Sequence, residues 1–143
     1  VTRLLWMRHG ESTWNVAGRE QGRTAHPPLT DLGRRQVLAA AEQLADADVA
    51  AVMCSPLVRA RQSADLVAAR LGLEVVEDPR LVERGHDETL DDVLGRLADF
   101  LASGPDDDTL VVTHGDVIAY VVASLDGTAP SLPANAEVRV TQS

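Results

Sequence analysis

Four side chains in this sequence have the type and setting for phosphate chemistry: Arg8 and His9 in "LLWMRHGES", Arg59 in "CSPLVRARQSA", and His114 in "LVVTHGD". In both histidine segments an apolar run stops at an imidazole that is followed directly by a glycine. A guanidinium is permanently charged and offers a planar fork of donors to anionic oxygens. Gly10 and Gly115 are expected to let the backbone approach an anion closely, since neither carries a Cβ. Fixed cations of this kind can neutralise a transferring phosphoryl group, so no metal or other cofactor is expected. A neutral imidazole is also a competent nucleophile near pH 7, so one histidine can do more than bind.

For these groups to meet, the elements carrying them must end at one place. Residues 2–7, "TRLLWM", read as a strand covered on both faces, because a near-continuous apolar run is how a parallel strand looks. A polar loop through "WNVAGREQGRTAHPP" follows, and Thr30 caps a helix over 31–45 with Val37, Ala41, Leu44 and Ala45 on its apolar face. "VAAVMCS" is a second strand, and Ser55 and Pro56 start a helix that runs to Gly72. "LEVVED" reads as a short third strand. Leu90, Val93, Leu94, Leu97 and Leu101 stripe a helix ending near Gly104, and "TLVVTH" is the fourth strand. A short apolar helix through Leu125 and an alternating strand, "AEVRVTQ", complete the order. Strands alternating with helices predict one α/β domain over residues 1–143, a three-layer sandwich with a mostly parallel sheet and the last strand at an edge. In such sheets ligands sit beyond the carboxyl ends of the strands, where Arg8, His9, Arg59 and His114 would share one rim.

Composition narrows the partners. With 143 residues and 45% hydrophobic content the chain is long enough for one core, and with 3% aromatics that core must be mostly Leu, Val and Ala. A net charge of -9 argues against a nucleic-acid binder, which needs a basic surface to displace counterions. An anionic substrate would therefore require positive potential concentrated in one cleft. Cys54 is the single cysteine, no leader pattern precedes the first strand, and no apolar run approaches the roughly 20 residues that span a bilayer. A cytoplasmic protein without membrane contact is the expectation. Oligomeric state is not encoded in any pattern. Scattered histidines and one cysteine show no paired metal-ligand spacing.

The ordered segments "RHGES" with "WN", "GREQG", "PLTDLGRRQ", "CSPLVRARQSA" and "VVTHGD" resemble the histidine phosphatase superfamily, also called phosphoglycerate mutase-like, from about Leu4 to Ala119. The resemblance implies that His9 is the nucleophile and is phosphorylated on a ring nitrogen. It implies that Arg8, Arg59 and His114 grip the equatorial oxygens, with Gly115 beside them, and that Asn15 adds a neutral donor. Glu83, in "RLVER", resembles the family's proton donor to the leaving oxygen, and the same carboxylate would then activate water. Glu11 and Asp116 compete with Glu83 for that role, although Asp116 also suits a helix N-cap. Arg8 and Arg59 have ion pairing with the abundant carboxylates as their structural alternative. His26 and His86 read as structural residues.

Departures from the pattern direct the functional expectation. Only residues 84–89 separate Glu83 from the next helix, where larger relatives carry a long segment, and the sequence ends after its last strand. "TAHPPLT" is one residue longer than usual and lacks the family's aspartate. A mutase must shield phosphohistidine from water, which an open site does poorly. The expectation is a phosphoric monoester hydrolase acting on a phosphorylated small molecule or phosphoprotein through His9. A protein phosphohistidine phosphatase, a phosphoglycerate-type mutase and a non-catalytic phosphate-binding module are the alternatives.

Overall fold

The central strand β1 (Arg3–Arg8) sends alternate residues into two separate cores. Leu5 and Met7 pack on one face with α2 (Asp31–Leu44) and α3 (Val58–Leu71), while Leu4 and Trp6 pack on the other with α4 (Leu90–Ala102) and α5 (Gly115–Asp126). The computed structural model describes residues 2–17 and 28–143. Among these, β2 is Ala51–Cys54, β3 Val75–Glu77, β4 Thr109–Thr113 and β5 Val138–Gln142, with a short helix α1 (Thr13–Ala17) after β1. Helices therefore cover both faces of one five-stranded sheet, a three-layer α/β sandwich.

The strand order is β3-β2-β4-β1-β5. All pairings are parallel except β1 with β5, so the alternating last strand lies at an edge and runs against the others. The chain leaves β1 toward the face covered by α2 and leaves the adjacent β4 toward the face covered by α5. Two neighbouring parallel strands whose connections diverge leave a crevice between their carboxyl ends, the switch point where ligands of such sheets bind.

Several expected boundaries shift, each for a local reason. Ser55 does not start a helix: its N–H continues the sheet ladder to the Val112 carbonyl at 3.0 Å, and α3 begins at Val58 with Leu57 as N-cap. The loop read through "WNVA" contains α1, whose first turn is closed by Asn15 and Ser12. Ala45 is the exposed C-cap of α2 and not part of its buried face. In α4 the buried stripe is Val93, Leu97 and Phe100, while Leu90 is 40% exposed. Phe100 meets Trp6 edge-on at 6.2 Å, and the indole N–H of Trp6 donates to Thr141 at 2.9 Å. Truncating a buried ring of this kind to alanine costs about 3–5 kcal/mol.

No described helix is long and apolar enough to cross a membrane.

Candidate active site

His9 and His114 follow paired residues of β1 and β4, Arg8 and Thr113, so sheet register alone makes them neighbours. Their ring centroids are 5.4 Å apart and the rings meet edge-on at 62°. The His9 N–H extends the ladder to the Thr113 carbonyl at 3.2 Å, and the turn before β5 clasps the same stretch: the Ala136 N–H donates to the carbonyls of Arg8 and His9.

The tautomer of His9 follows from its partner. Nδ1 lies 2.7 Å from the Gly10 carbonyl, which can only accept, so Nδ1 carries the proton and Nε2 keeps a lone pair. Burial lowers its pKa to about 3, and the nearby Arg59 and Arg8 push the same way against the Gly10 carbonyl. The ring is neutral at physiological pH.

His114 is fully buried and its pKa lies well below the ordinary value, first through burial and then through His9 and Arg59. Its Nε2 is 2.9 Å from Ser55 Oγ, which also accepts the Leu57 N–H at 3.3 Å. The Ser55 hydroxyl has one proton and two lone pairs, so it can donate to Nε2 while accepting the Leu57 N–H, and in that arrangement the imidazole proton sits on Nδ1. This Nδ1 is buried without a hydrogen-bond partner, as is Arg8 Nε. An unmet buried donor costs about 1–3 kcal/mol, so two beside one another form a site short of an acceptor.

A Cβ at Gly115 would lie 3.1 Å from Nε and 3.3 Å from Cζ of Arg8, so this glycine makes room for the guanidinium. A Cβ at Gly10 would lie 2.5 Å from the Gly33 carbonyl oxygen, so it lets α2 approach the strand end. Arg8 itself is held by its Nη1 donating to the Pro133 carbonyl at 2.8 Å.

Arg59 is fully buried in the first turn of α3, and its Nη2 meets Glu83 Oε2 at 2.6 Å. Ser63 links this turn to the first strand by accepting the Gly10 N–H at 3.1 Å and donating to the Arg59 carbonyl at 2.8 Å. Glu83 is set in place through Thr113, whose hydroxyl donates to the Leu81 carbonyl at 2.6 Å. Burial holds the Glu83 carboxyl above the ordinary carboxylate range, and Arg59 opposes it. Arg59 and Glu83 thus form an ion pair within the cluster, joining the two readings that the sequence left open.

The competing acids are placed elsewhere in the hydrogen-bond pattern. Glu11 Oε1 accepts the Thr30 hydroxyl at 3.0 Å, which ties it to the start of α2. Asp116 is not an N-cap; His114 is, in extended conformation, and Asp116 lies in the first turn of α5 with Oδ1 accepting the Val117 N–H at 2.8 Å. Asn15 Oδ1 accepts from the Ser12 N–H at 2.9 Å and the Ser12 hydroxyl at 3.2 Å, so any donor role falls to its amide N–H groups. His86 is exposed in the 84–89 loop, while His26 and most of "TAHPPLT" lie outside the described residues. Glu88 closes that loop on itself by accepting the Gly85 N–H, and Arg96 forks onto its carboxylate at 2.9 and 3.0 Å. Ser55 and Ser63 are the site residues that sequence reasoning missed; their signal was only that each flanks Arg59 within "SPLVRARQS".

Two neutral imidazoles and two arginines at the switch point of an α/β sheet define a chemistry by geometry: a tetrahedral oxyanion held by cations and reached by a ring nitrogen. Residues 4–90 match the profile of the histidine phosphatase superfamily (branch 1), and the chain belongs to that family. It is 40% identical over 83 residues to a Yersinia pestis (strain Pestoides F) protein named "Probable phosphoglycerate mutase GpmB". That match covers 58% of this chain and 38% of the relative, so the chain spans well under two thirds of the relative's length. Among solved structures, a mycobacterial glucosyl-3-phosphoglycerate phosphatase complexed with VO3 superposes with a TM-score of 0.83 at 27% identity, covering 98% of this chain and 90% of that one. A phosphoserine phosphatase from Entamoeba histolytica shares the fold, with a TM-score of 0.81 at 20% identity over 98% and 90% of the two chains.

Proposed function

We propose that this chain is a metal-independent phosphatase that hydrolyses phosphomonoesters through a phosphohistidine on His9. The observation that carries this reading is the His9 tautomer: Nδ1 is spent on the Gly10 carbonyl and Nε2 retains its lone pair beside Arg8, Arg59 and His114. In the first step Nε2 attacks phosphorus, the ester P–O bond breaks, and the departing alkoxide takes the proton of Glu83. Arg8, Arg59 and the Nδ1–H of His114 hold the equatorial oxygens as charge develops on them. In the second step Glu83, now a carboxylate, takes a proton from water as its oxygen attacks phosphorus, the N–P bond breaks, and phosphate leaves with His9 restored. Burial, which raises the pKa of Glu83, favours the acid half of that cycle.

The phosphatase named among the structural neighbours supports hydrolysis, and the relative named for a mutase belongs to a longer protein matched over 38% of its length. The short 84–89 loop, closed by Glu88, favours a second substrate class, phosphohistidine in proteins, because no insertion stands between Glu83 and α4. Its imidazole leaving group would need little help from Glu83.

Brief incubation with a 32P-labelled alkyl phosphate followed by denaturation in alkali tests the reading. Acid-labile label should remain on the protein and disappear in His9→Ala. Phosphate binding without label or turnover would instead identify a binding module.

A further inference from the structure

A groove leads away from this cluster along α5. Asp116, Ala119, Tyr120, Pro130, Ser131 and Leu132 line a cavity of about 350 Å³. A second cavity of about 290 Å³ shares Tyr120 and Pro130 and continues to Leu90 and Leu94. Both ends of this groove carry apolar side chains open to solvent, with Leu132 69% and Leu90 40% exposed. A larger groove, about 620 Å³, lies beside Ala50 and Thr109 at the opposite ends of β2 and β4, so it does not communicate with His9.

The smaller groove is joined to the reactive cluster at two points. Asp116 stands two residues beyond His114 and is close enough for its charge to act on Arg8, Arg59 and Glu83. On the opposite wall, Leu132 precedes Pro133, whose carbonyl holds Arg8 at 2.8 Å. A phosphoryl group seated between the arginines would therefore stand at the Asp116 end of this groove.

Among the described residues, Asp116 is the one charged side chain lining either cavity. Among the described residues it forms no salt bridge; its Oδ1 accepts the Val117 N–H, and Arg96 and Arg84 act on it only through their fields. A half-buried carboxylate beside a tyrosine ring and aliphatic walls is the setting that attracts an organic ammonium, by charge and by cation–π contact. The same carboxylate repels an alcohol that carries its own carboxylate.

Building on the phosphatase reading, we propose that the leaving alcohol lies in the Asp116–Tyr120–Leu132 groove and that Asp116 makes the site select phosphate esters of amino alcohols over those of hydroxy acids. Asp116 is thus a specificity residue for the alcohol and takes no part in breaking the ester bond.

The test compares kcat/KM for 4-(aminomethyl)benzyl phosphate and 4-carboxybenzyl phosphate, with benzyl phosphate as the uncharged reference. The native chain should favour the ammonium ester about tenfold or more. Asp116→Asn should bring the ratio close to one, chiefly through KM. Leu132→Lys, at a position too exposed to disturb folding, should reverse the preference. Hydrolysis of benzyl phosphate without an ammonium preference, or with a preference that neither variant changes, overturns the groove assignment and leaves the phosphatase reading intact. No hydrolysis of any of the three, together with no label on His9, overturns both.

Discussion

In the proposed cycle Glu83 is a proton donor in one half and an acceptor in the other, and its surroundings pull in both directions: burial favours the neutral acid, and the 2.6 Å contact with Arg59 favours the anion. Glu83→Ala should therefore reduce turnover of an alkyl phosphate about 100-fold or more, yet barely change that of 4-nitrophenyl phosphate, whose leaving group needs no proton. Parallel steady-state kinetics on the two esters check this. Because the first step uses the protonated carboxyl, kcat/KM for the alkyl ester should fall as pH rises through the raised pKa of Glu83, and Glu83→Gln should lose that alkaline limb. His9 titrates only near 3, so it contributes no acid limb near 6.5. Ser55 carries a second prediction at this scale. Removing its hydroxyl frees His114 to place its proton on Nε2, which turns Nδ1 from donor to acceptor beside the anion. Ser55→Ala should weaken vanadate inhibition about tenfold while Ser55→Thr restores it, measured as Ki. Arg8, His9, Arg59 and His114 were legible because each stands at the end of an apolar run or one turn beyond it. Ser55 was not, because its partner lies 59 residues away and is supplied only by the adjacency of β2 and β4.

Between elements, the spacing that matters most is set by two glycines in contact. A Cβ on Gly33 would stand 2.1 Å from the Glu11 carbonyl oxygen, so α2 reaches the strand end only because this position has no side chain. Gly33→Ala should destabilise the fold by about 1–3 kcal/mol. Gly95, inside α4 with nothing within 4 Å of the same added atom, gives the opposite sign: Gly95→Ala should stabilise by about 0.5–1 kcal/mol. Urea denaturation of both variants measures the contrast. The order and type of the longer elements were readable from periodicity, as were the Thr30 cap and the edge position of the last strand. The helix α1 and the true extent of β3 were not. α1 is too short to show a period and is closed by hydrogen bonds between Ser12 and Asn15, and β3 pairs over Val75–Glu77, half the span of its apolar segment. The start of α3 was misplaced because Ser55 looks like a cap in isolation, while its backbone is held in the sheet.

For the molecule as a whole, the net charge of -9 surrounds a cleft that holds two buried or half-buried arginines and two neutral imidazoles. Such a cleft depends on pH in a definite direction. His9 binds a proton near 6.5 when unfolded and near 3 when folded, so between these values the unfolded chain holds more protons. Stability should thus be fully present above about pH 6.5 and decline as pH falls toward 3, by up to about 1.4 kcal/mol per pH unit from this residue. His114 is displaced in the same direction and adds to the effect. Guanidinium denaturation at pH 8 and pH 5 should show the loss, and His9→Gln should make the difference between the two smaller.

The strand that bears His9 is flanked on both sides by strands from the last third of the sequence, β4 and β5, and its final carbonyls are clasped by Ala136. A ribosome makes this strand well before its neighbours. His9 therefore waits for more than a hundred residues of translation before its pocket can close, and a polypeptide released early would carry the histidine without the means to use it.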